Sequence, residues 1–410
     1  MIEFIKLQFG DKKKKYLIMG FFLLIILLLA IYFILTYFTN KTDVILERDL
    51  TCDFREEVHV MDFVYKLNGE VITNSLVDTS EVGKKTISFT YRNRYGLIVS
   101  KKFKIEIKDV TPPTVIVNNP YIVEKESIND LYDSIFCADD YDDQVTCSIV
   151  GKYDLEKVGK YDLKMIAVDH SGNSTTKEFT LQVVEPSSEN DSSLKNQEIE
   201  YTSFESVYKK YKKDNTLIGL DLSKWQQEVD FVKLKEQGVS FVMLKIGGQK
   251  KIGDEFTIDP KFYDNIEKAL ENDIQVGVYF YSYATSEGEA KKQAKWIIQK
   301  LKDYDITLPI VFDWENWNNY TTFHLSFHTL NKIASAFMEE VEQNGYSSML
   351  YSSKYYLETI WYAKDYTNWL AYYTKNNDYQ GDYAMWQVCS DGKIDGIDGY
   401  VDIDVMYLSS

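Results

Sequence analysis

The sequence predicts a multidomain chain: a transmembrane helix, two small all-β sandwiches, then an irregular α/β barrel of five β/α units followed by three strands. Three observations predict it. Tyr16 to Phe38 contains no charged residue and is dominated by Leu, Ile and Phe. Between about residues 45 and 185, short segments alternate apolar and polar residues, as half-buried strands do. From Leu217 onward, apolar strand patterns alternate with amphipathic helix patterns, which implies a parallel sheet.

Bulk composition narrows the function. A chain of 410 residues accommodates two or three domains, and 45% hydrophobic with 15% aromatic residues supports packed cores. The net charge of -17 argues against a nucleic-acid partner, because phosphate binding needs a basic surface. An uncharged glycan is not excluded by it. The four cysteines are scattered, with no Cys-x-x-Cys pair and no clustered histidines, so no zinc site is expected. Cys137 and Cys147 are close enough to clip one loop, and free buried cysteines are the equal alternative.

Taken in order, residues 1–15 read as a cytoplasmic tail and 16–38 as a transmembrane helix. The apolar run is long enough to cross a hydrocarbon core of roughly 30 Å. Lys12 to Lys15 precede it, and the positive-inside rule then leaves the remainder of the chain outside. A cleaved signal peptide is the competing reading. It requires small residues at a cleavage site, whereas Thr36-Tyr-Phe-Thr-Asn40 follows here. The expectation is a single-pass cell-membrane protein with its amino terminus inside and the rest of the chain outside.

Residues 45–110 and 111–185 read as two β modules. Val82 to Asp109 aligns without gaps on Val158 to Glu185, pairing Gly83 with Gly159, Gly96 with Gly172 and Phe103 with Phe179. Such self-similarity marks a repeat, with Thr111-Pro-Pro113 at the joint. The acidic cluster Asp139, Asp140, Asp142 and Asp143 offers oxygen ligands of the kind calcium takes. It lacks the glycine and terminal Glu of an EF-hand loop, so a solvated turn is preferred. Residues 186–215 read as a linker. Its second part, Tyr208-Lys-Lys-Tyr-Lys-Lys213, reads either as a short packed helix or as a contact to anionic wall polymer.

The last segment, 216–410, carries strand candidates at 217–221, 241–246, 275–281, 308–313 and 348–351, each followed by a helix candidate. Three more strands, near 368–373, 383–388 and 401–406, leave little room for helices. In a parallel barrel the site lies at the carboxyl ends of the strands. The acidic residues there are Asp221, Asp313, Glu315, Asp402 and Asp404. Trp225, Tyr279, Tyr281, Tyr283, Trp369, Tyr373, Trp386 and Gln387 accompany them. Asp313 and Glu315, two apart at the end of Ile310-Val-Phe312, project to one face. Two carboxylates in one apolar site repel, so one pKa rises while the other group stays ionised. Glycoside hydrolysis uses that arrangement, and aromatic faces suit a sugar. Such chemistry requires no metal and no organic cofactor.

Two resemblances sharpen this. Residues Asp109 to Pro113, Ala138 to Asp143, Gly159-Lys-Tyr161 and Ala167 to Asn173 resemble bacterial immunoglobulin-like modules, which implies spacers or surfaces for envelope protein partners. Gly219 to Gln226, Gly277 to Ala284, Pro309 to Glu315, Trp369 to Tyr373, Met385-Trp-Gln387 and Gly392 to Asp404 occur in order. With these motifs, 217–410 resembles a glycoside hydrolase family 25 lysozyme. The resemblance implies an N-acetylmuramidase acting on peptidoglycan glycan strands. Glu315 is then the general acid/base, its pKa raised by burial and by Asp313, and Asp313 stabilises developing positive charge. Asp221 and Asp402 are the remaining acidic positions. Tyr279, Tyr281, Trp369, Tyr373, Trp386, Gln387 and Asp404 are read as substrate-binding. The resemblance also implies retention, with the substrate's acetamido group as nucleophile. The alternative function is a catalytically silent glycan-binding or wall-scaffold protein.

Overall fold

The structure, a computed structural model, describes residues 2–128, 130–133, 136–186, 201–315 and 325–408. The linker stretch 187–200 lies outside the described residues. The chain divides into two compact units, Met1–Val110 and Thr111–Ser410.

The first unit opens with helix α1 (Ile2–Thr42). Its segment Lys15–Leu35 is long and apolar enough to cross a membrane, and none of it is buried against protein. Six strands follow: β1 (Val44–Leu46), β2 (Thr51–Asp53), β3 (Val64–Leu67), β4 (Gly69–Val71), β5 (Gly83–Asn93) and β6 (Ile98–Lys108). They form a four-stranded sheet in the order β2-β6-β5-β4 and a β1-β3 pair.

The second unit begins with β7 (Thr114–Ile116), β8 (Tyr121–Glu124), β9 (Phe136–Ala138), β10 (Thr146–Val150), β11 (Gly159–Val168) and β12 (Ser174–Val184). Their sheet order, β10-β11-β12-β8 with a β7-β9 pair, is that of the first unit strand for strand. The repeat seen in the sequence is the hairpin β5-β6 and its counterpart β11-β12. Gly83 pairs with Ile107, and Gly159 with Val183. Gly96 and Gly172 turn both hairpins at positive φ, +78° and +92°, where a side chain is strained. The matched apolar residues Phe103 and Phe179, Ile105 and Leu181, Ile107 and Val183 are buried. A disulfide joins Cys137 to Cys147, whereas Cys52 and Cys389 are free and buried.

The acidic loop after β9 departs from the expected solvated turn. Asp139 is buried and its Oδ1 accepts the backbone N–H groups of Tyr141 and Asp142. Asp140 and Asp143 reach the barrel. Asp140 Oδ1 accepts the Tyr362 hydroxyl at 2.9 Å, and Asp143 Oδ1 accepts Ser326 N–H at 2.7 Å and Thr329 Oγ1–H at 2.9 Å. Backbone carbonyls of Asp139 and Asp140 accept the N–H groups of Phe327 and His328. The loop thus caps the start of the helix beginning at Phe327, satisfying donors that a helix leaves unpaired. Asp143→Ala should lower stability by about 1 kcal/mol, the worth of a helix cap. Calorimetry of the full chain checks this: loss confined to the transition that includes the barrel is expected.

Next come β13 (Thr202–Ser203) and α2 (Phe204–Tyr211). This stretch is not linker. Phe204 and Val207 are buried in the barrel's outer core, and β13 pairs with a barrel strand. The barrel comprises β14 (Thr216–Leu222), α3 (Phe231–Glu236), β15 (Phe241–Gly248), the short β16 (Thr257–Ile258), α4 (Phe262–Glu271), β17 (Gln275–Tyr281) and α5 (Glu287–Leu301). It continues with β18 (Ile310–Asp313), α6 (Phe327–Gln343), β19 (Ser348–Ser353), α7 (Lys354–Thr359), β20 (Asn368–Ala371), β21 (Met385–Lys393) and β22 (Val401–Tyr407).

Strands β14, β15 and β17 to β21 run parallel, and antiparallel β22 pairs with both β14 and β21, closing the cylinder. Alternation sorts their side chains. Val242, Leu244, Val278, Phe280, Phe312, Leu350 and Leu370 face the helices, while Phe241, Met243, Val311, Met349, Trp369, Met385 and Met406 fill the interior. Burying an aliphatic or aromatic side chain in this way contributes about 1.5–3 kcal/mol each. The inward row ends, at the carboxyl side of the parallel strands, in polar residues.

Candidate active site

The interior row that holds Met243, Val311 and Met349 continues upward through Lys245, Asp313 and Tyr351. Around the barrel the same end receives Asp221, Tyr279, Tyr281, Gln387, Asp402 and, one step lower, Asp404. Strand register places them side by side. Asp221 is opposite Asp402, Gln387 opposite Asp404, Tyr281 beside Asp313, and Asp313 beside Tyr351. Four residues read from the sequence as acidic site members, Asp221, Asp313, Asp402 and Asp404, therefore share one barrel end with Glu315 just past β18.

Gln387, fully buried, ties the site together. Its Nε2 donates to Asp221 Oδ2 and Asp402 Oδ2, both at 3.2 Å. Its Oε1 accepts the hydroxyls of Tyr351 at 2.9 Å and Tyr373 at 2.8 Å. Gln387→Ala leaves these four groups without that partner. We expect about 3 kcal/mol of destabilisation, from the loss of four hydrogen bonds and of the packing of a fully buried side chain. Thermal denaturation of the full chain checks it.

Burial shifts the titration of this cluster. Asp313 is buried, and its carboxyl is held well above the usual range by desolvation, then by the charge of Glu315 and a hydrogen bond to it. Asp221 is raised by burial and by facing Asp402, against a hydrogen bond from Tyr279 and the charge of Lys245. Asp402 is pushed up to about 6 by burial and by Glu315. Asp404, buried below them, is raised by burial and by Asp221 and Asp402, while Trp369 Nε1 donates to it at 2.9 Å.

Several expectations change here. Burial was expected to act on Glu315, but Glu315 is exposed and lies two residues beyond the last inward position of β18. The desolvated partner is Asp313. Glu315 instead lines an open cleft of about 700 Å³ with Tyr351, Tyr355, Tyr356, Tyr372 and Tyr373. Trp386 does not face this space. It sits next to Gln387 on β21, so it points to the outer layer, where its N–H donates to Tyr372 O and its ring meets Tyr211 at 5.3 Å. Trp369 is buried and forms the floor beneath Tyr351, ring centroids 4.8 Å apart. Tyr283 is buried beside Tyr281, whereas Trp225 is 73% exposed just past β14, with Lys224 Nζ 4.9 Å from its ring centre.

Two site residues escaped the sequence reading. Lys245 Nζ lies over the rings of Tyr281 and Tyr279, at 4.9 and 5.9 Å, and its charge opposes the raised pKa values of Asp221 and Asp313. Tyr351 holds Gln387. A signal existed for both: each is an inward residue next in alternation after a core methionine, and Lys245 is the one charge in an otherwise apolar strand.

Chemically, the barrel end combines an exposed carboxyl hydrogen-bonded to a buried one, with further acids opposite and tyrosines around the opening. Residues 220–397 match the family described as glycosyl hydrolases family 25. The uncharacterized protein YegX of Escherichia coli (strain K12) is 29% identical over 195 residues, which is 46% of this chain and 69% of YegX. Among solved structures, the spore cortex lytic enzyme SleM of Clostridium perfringens has TM-score 0.43 and 23% identity over 48% of this chain and 69% of its own. A family 25 glycosyl hydrolase from Bacillus anthracis has TM-score 0.41 and 22% identity, covering 49% of this chain and 91% of that one. With its match over 220–397, the carboxyl-terminal barrel of this multidomain chain is a glycosyl hydrolase family 25 domain.

Proposed function

We propose that this chain is a membrane-anchored muramidase that cleaves the β-1,4 bond between N-acetylmuramic acid and N-acetylglucosamine in peptidoglycan. The observation that carries the reading is the pair Asp313 and Glu315: one carboxyl buried with raised pKa, the other open to the cleft and hydrogen-bonded to it. Glu315 is the group a sugar can touch, so it is assigned protonation of the leaving oxygen and later activation of water. Asp313 holds a proton at Glu315 in the resting site and, when ionised, stabilises positive charge on the sugar or its acetamido group. A retaining, substrate-assisted course fits a site with one exposed carboxyl. Asp221 and Asp402, held by Gln387, line the opposite wall, and Tyr279, Tyr281 and Tyr373 supply hydroxyls and ring faces for the glycan.

The apolar segment Lys15–Leu35 supports a single-pass anchor with the amino terminus in the cytoplasm and the barrel facing the wall. The two β modules are read as immunoglobulin-like spacers that also offer surfaces to envelope proteins. An enzyme so tethered acts only on wall within reach, which suits local remodelling. The test is incubation of the full chain, in detergent, with purified sacculi. Release of soluble glycan fragments is expected; a folded protein that binds sacculi without releasing any would favour the scaffold function.

A further inference from the structure

A second cavity, of about 670 Å³, opens on the same side of the barrel as the catalytic cleft. Tyr373 lines both, so the two spaces adjoin across one side chain. The cavity is walled by α2, by the residues following β20 and by the end of β21. Part of that wall, Tyr201 to Tyr211, lies before residue 220, where the family match begins. Lys210, Lys375 and Asp391 line it together with Tyr201 and Tyr211. Lys210 is fixed rather than free: its Nζ donates to the Lys375 carbonyl at 3.0 Å and lies 4.8 Å from the Tyr211 ring centre.

Two lysines in a cavity beside the glycan cleft, one of them held in place, need a reason in a chain of net charge -17. The substrate supplies one. Peptidoglycan differs from a plain glycan in that each N-acetylmuramic acid bears a short peptide with free carboxylates, commonly with one amino group. We propose that this cavity is a subsite for that peptide branch, Lys210 and Lys375 taking its carboxylates and Asp391 its amino group. The proposal rests on the muramidase reading for the position of the glycan. Ammonium–carboxylate hydrogen bonds supply the preference.

The test is binding, independent of cleavage. Full-length protein in detergent is titrated with an N-acetylmuramyl pentapeptide and with the peptide-free disaccharide of N-acetylglucosamine and N-acetylmuramic acid. We expect the peptide-bearing ligand to bind about tenfold tighter, a preference that high salt erodes. The double variant Lys210→Ala, Lys375→Ala should bring the two affinities within about twofold without changing that for the disaccharide. Equal affinities in the parent chain, binding of neither ligand, or a preference that survives the double variant would overturn the subsite. A chain that cuts sacculi without the preference loses the subsite and keeps the muramidase reading. One that has the preference but cuts nothing does the reverse.

Discussion

Glu315→Gln is expected to slow release of glycan fragments by about a thousandfold, the middle of the range for losing a positioned general acid. The amide keeps the size of the side chain and can still accept the hydrogen bond from Asp313, but it has no proton to give. Because Glu315 is exposed, the substitution removes no core contact, so the melting temperature and binding to sacculi should be nearly unchanged. Asp313→Asn should also lower the rate, acting through charge in the transition state. If Glu315→Gln were within tenfold of the parent while Asp313→Asn was inactive, the roles assigned to the two carboxyls would be reversed. Rates of reducing-end release at saturating sacculi, measured in parallel for both variants, decide.

Asp402→Asn should stabilise the protein at neutral pH. In the folded chain Asp402 titrates at about 6, against 3.8 ordinarily. The folded state therefore holds this proton more tightly than the unfolded one. Its stabilising share is fully present below about pH 4 and is lost as pH rises through 6. At pH 7 the folded protein keeps a desolvated carboxylate facing Asp221 and near Glu315. A neutral amide removes that cost, and its oxygen still accepts from Gln387. Two pKa units correspond to about 3 kcal/mol, an upper limit because Asp221 shares the coupling. Melting temperatures at pH 4 and pH 7 test the sign: the variant should exceed the parent at pH 7 and match it at pH 4. An equal difference at both values would mean a packing effect. The gain should come with lost activity, since the destabilising charge belongs to the site.

The barrel was legible in the sequence because its two periodicities are clean. Apolar strands followed by amphipathic helices fixed the order. Each of the eight strands that close the cylinder overlaps an expected one, most ends agreeing within two or three residues, while the two-residue β16 had no counterpart. The repeat of β5-β6 in β11-β12 was legible through Gly96 and Gly172, where turn geometry restricts the residue. The inward placement of the candidate site was legible where alternation along a strand could be followed: Asp221, Tyr279, Tyr281, Asp313, Gln387, Asp402 and Asp404 all lie inward. Trp386 was misplaced against that same rule, since it neighbours Gln387 and cannot share its face. Burial of Asp313 rather than Glu315 follows from where β18 ends, and strand ends are set by tertiary pairing that sequence patterns only approximate. The capping of α6 by Asp143 joins residues 183 and 186 positions apart, and no local pattern encodes such a pair. For α2 the sequence left a packed helix and a polymer contact open, and burial of Phe204 and Val207 docks it on the barrel as a packed helix.

The most direct test of the muramidase assignment is the chemistry of the new ends. Purified peptidoglycan is digested with the full chain in detergent, and the products are reduced with borohydride and weighed by mass spectrometry. The account predicts fragments whose reduced terminal sugar is N-acetylmuramic acid, absent from digests by Glu315→Gln. Fragments ending in reduced N-acetylglucosamine, or none from protein shown to be folded, would contradict it.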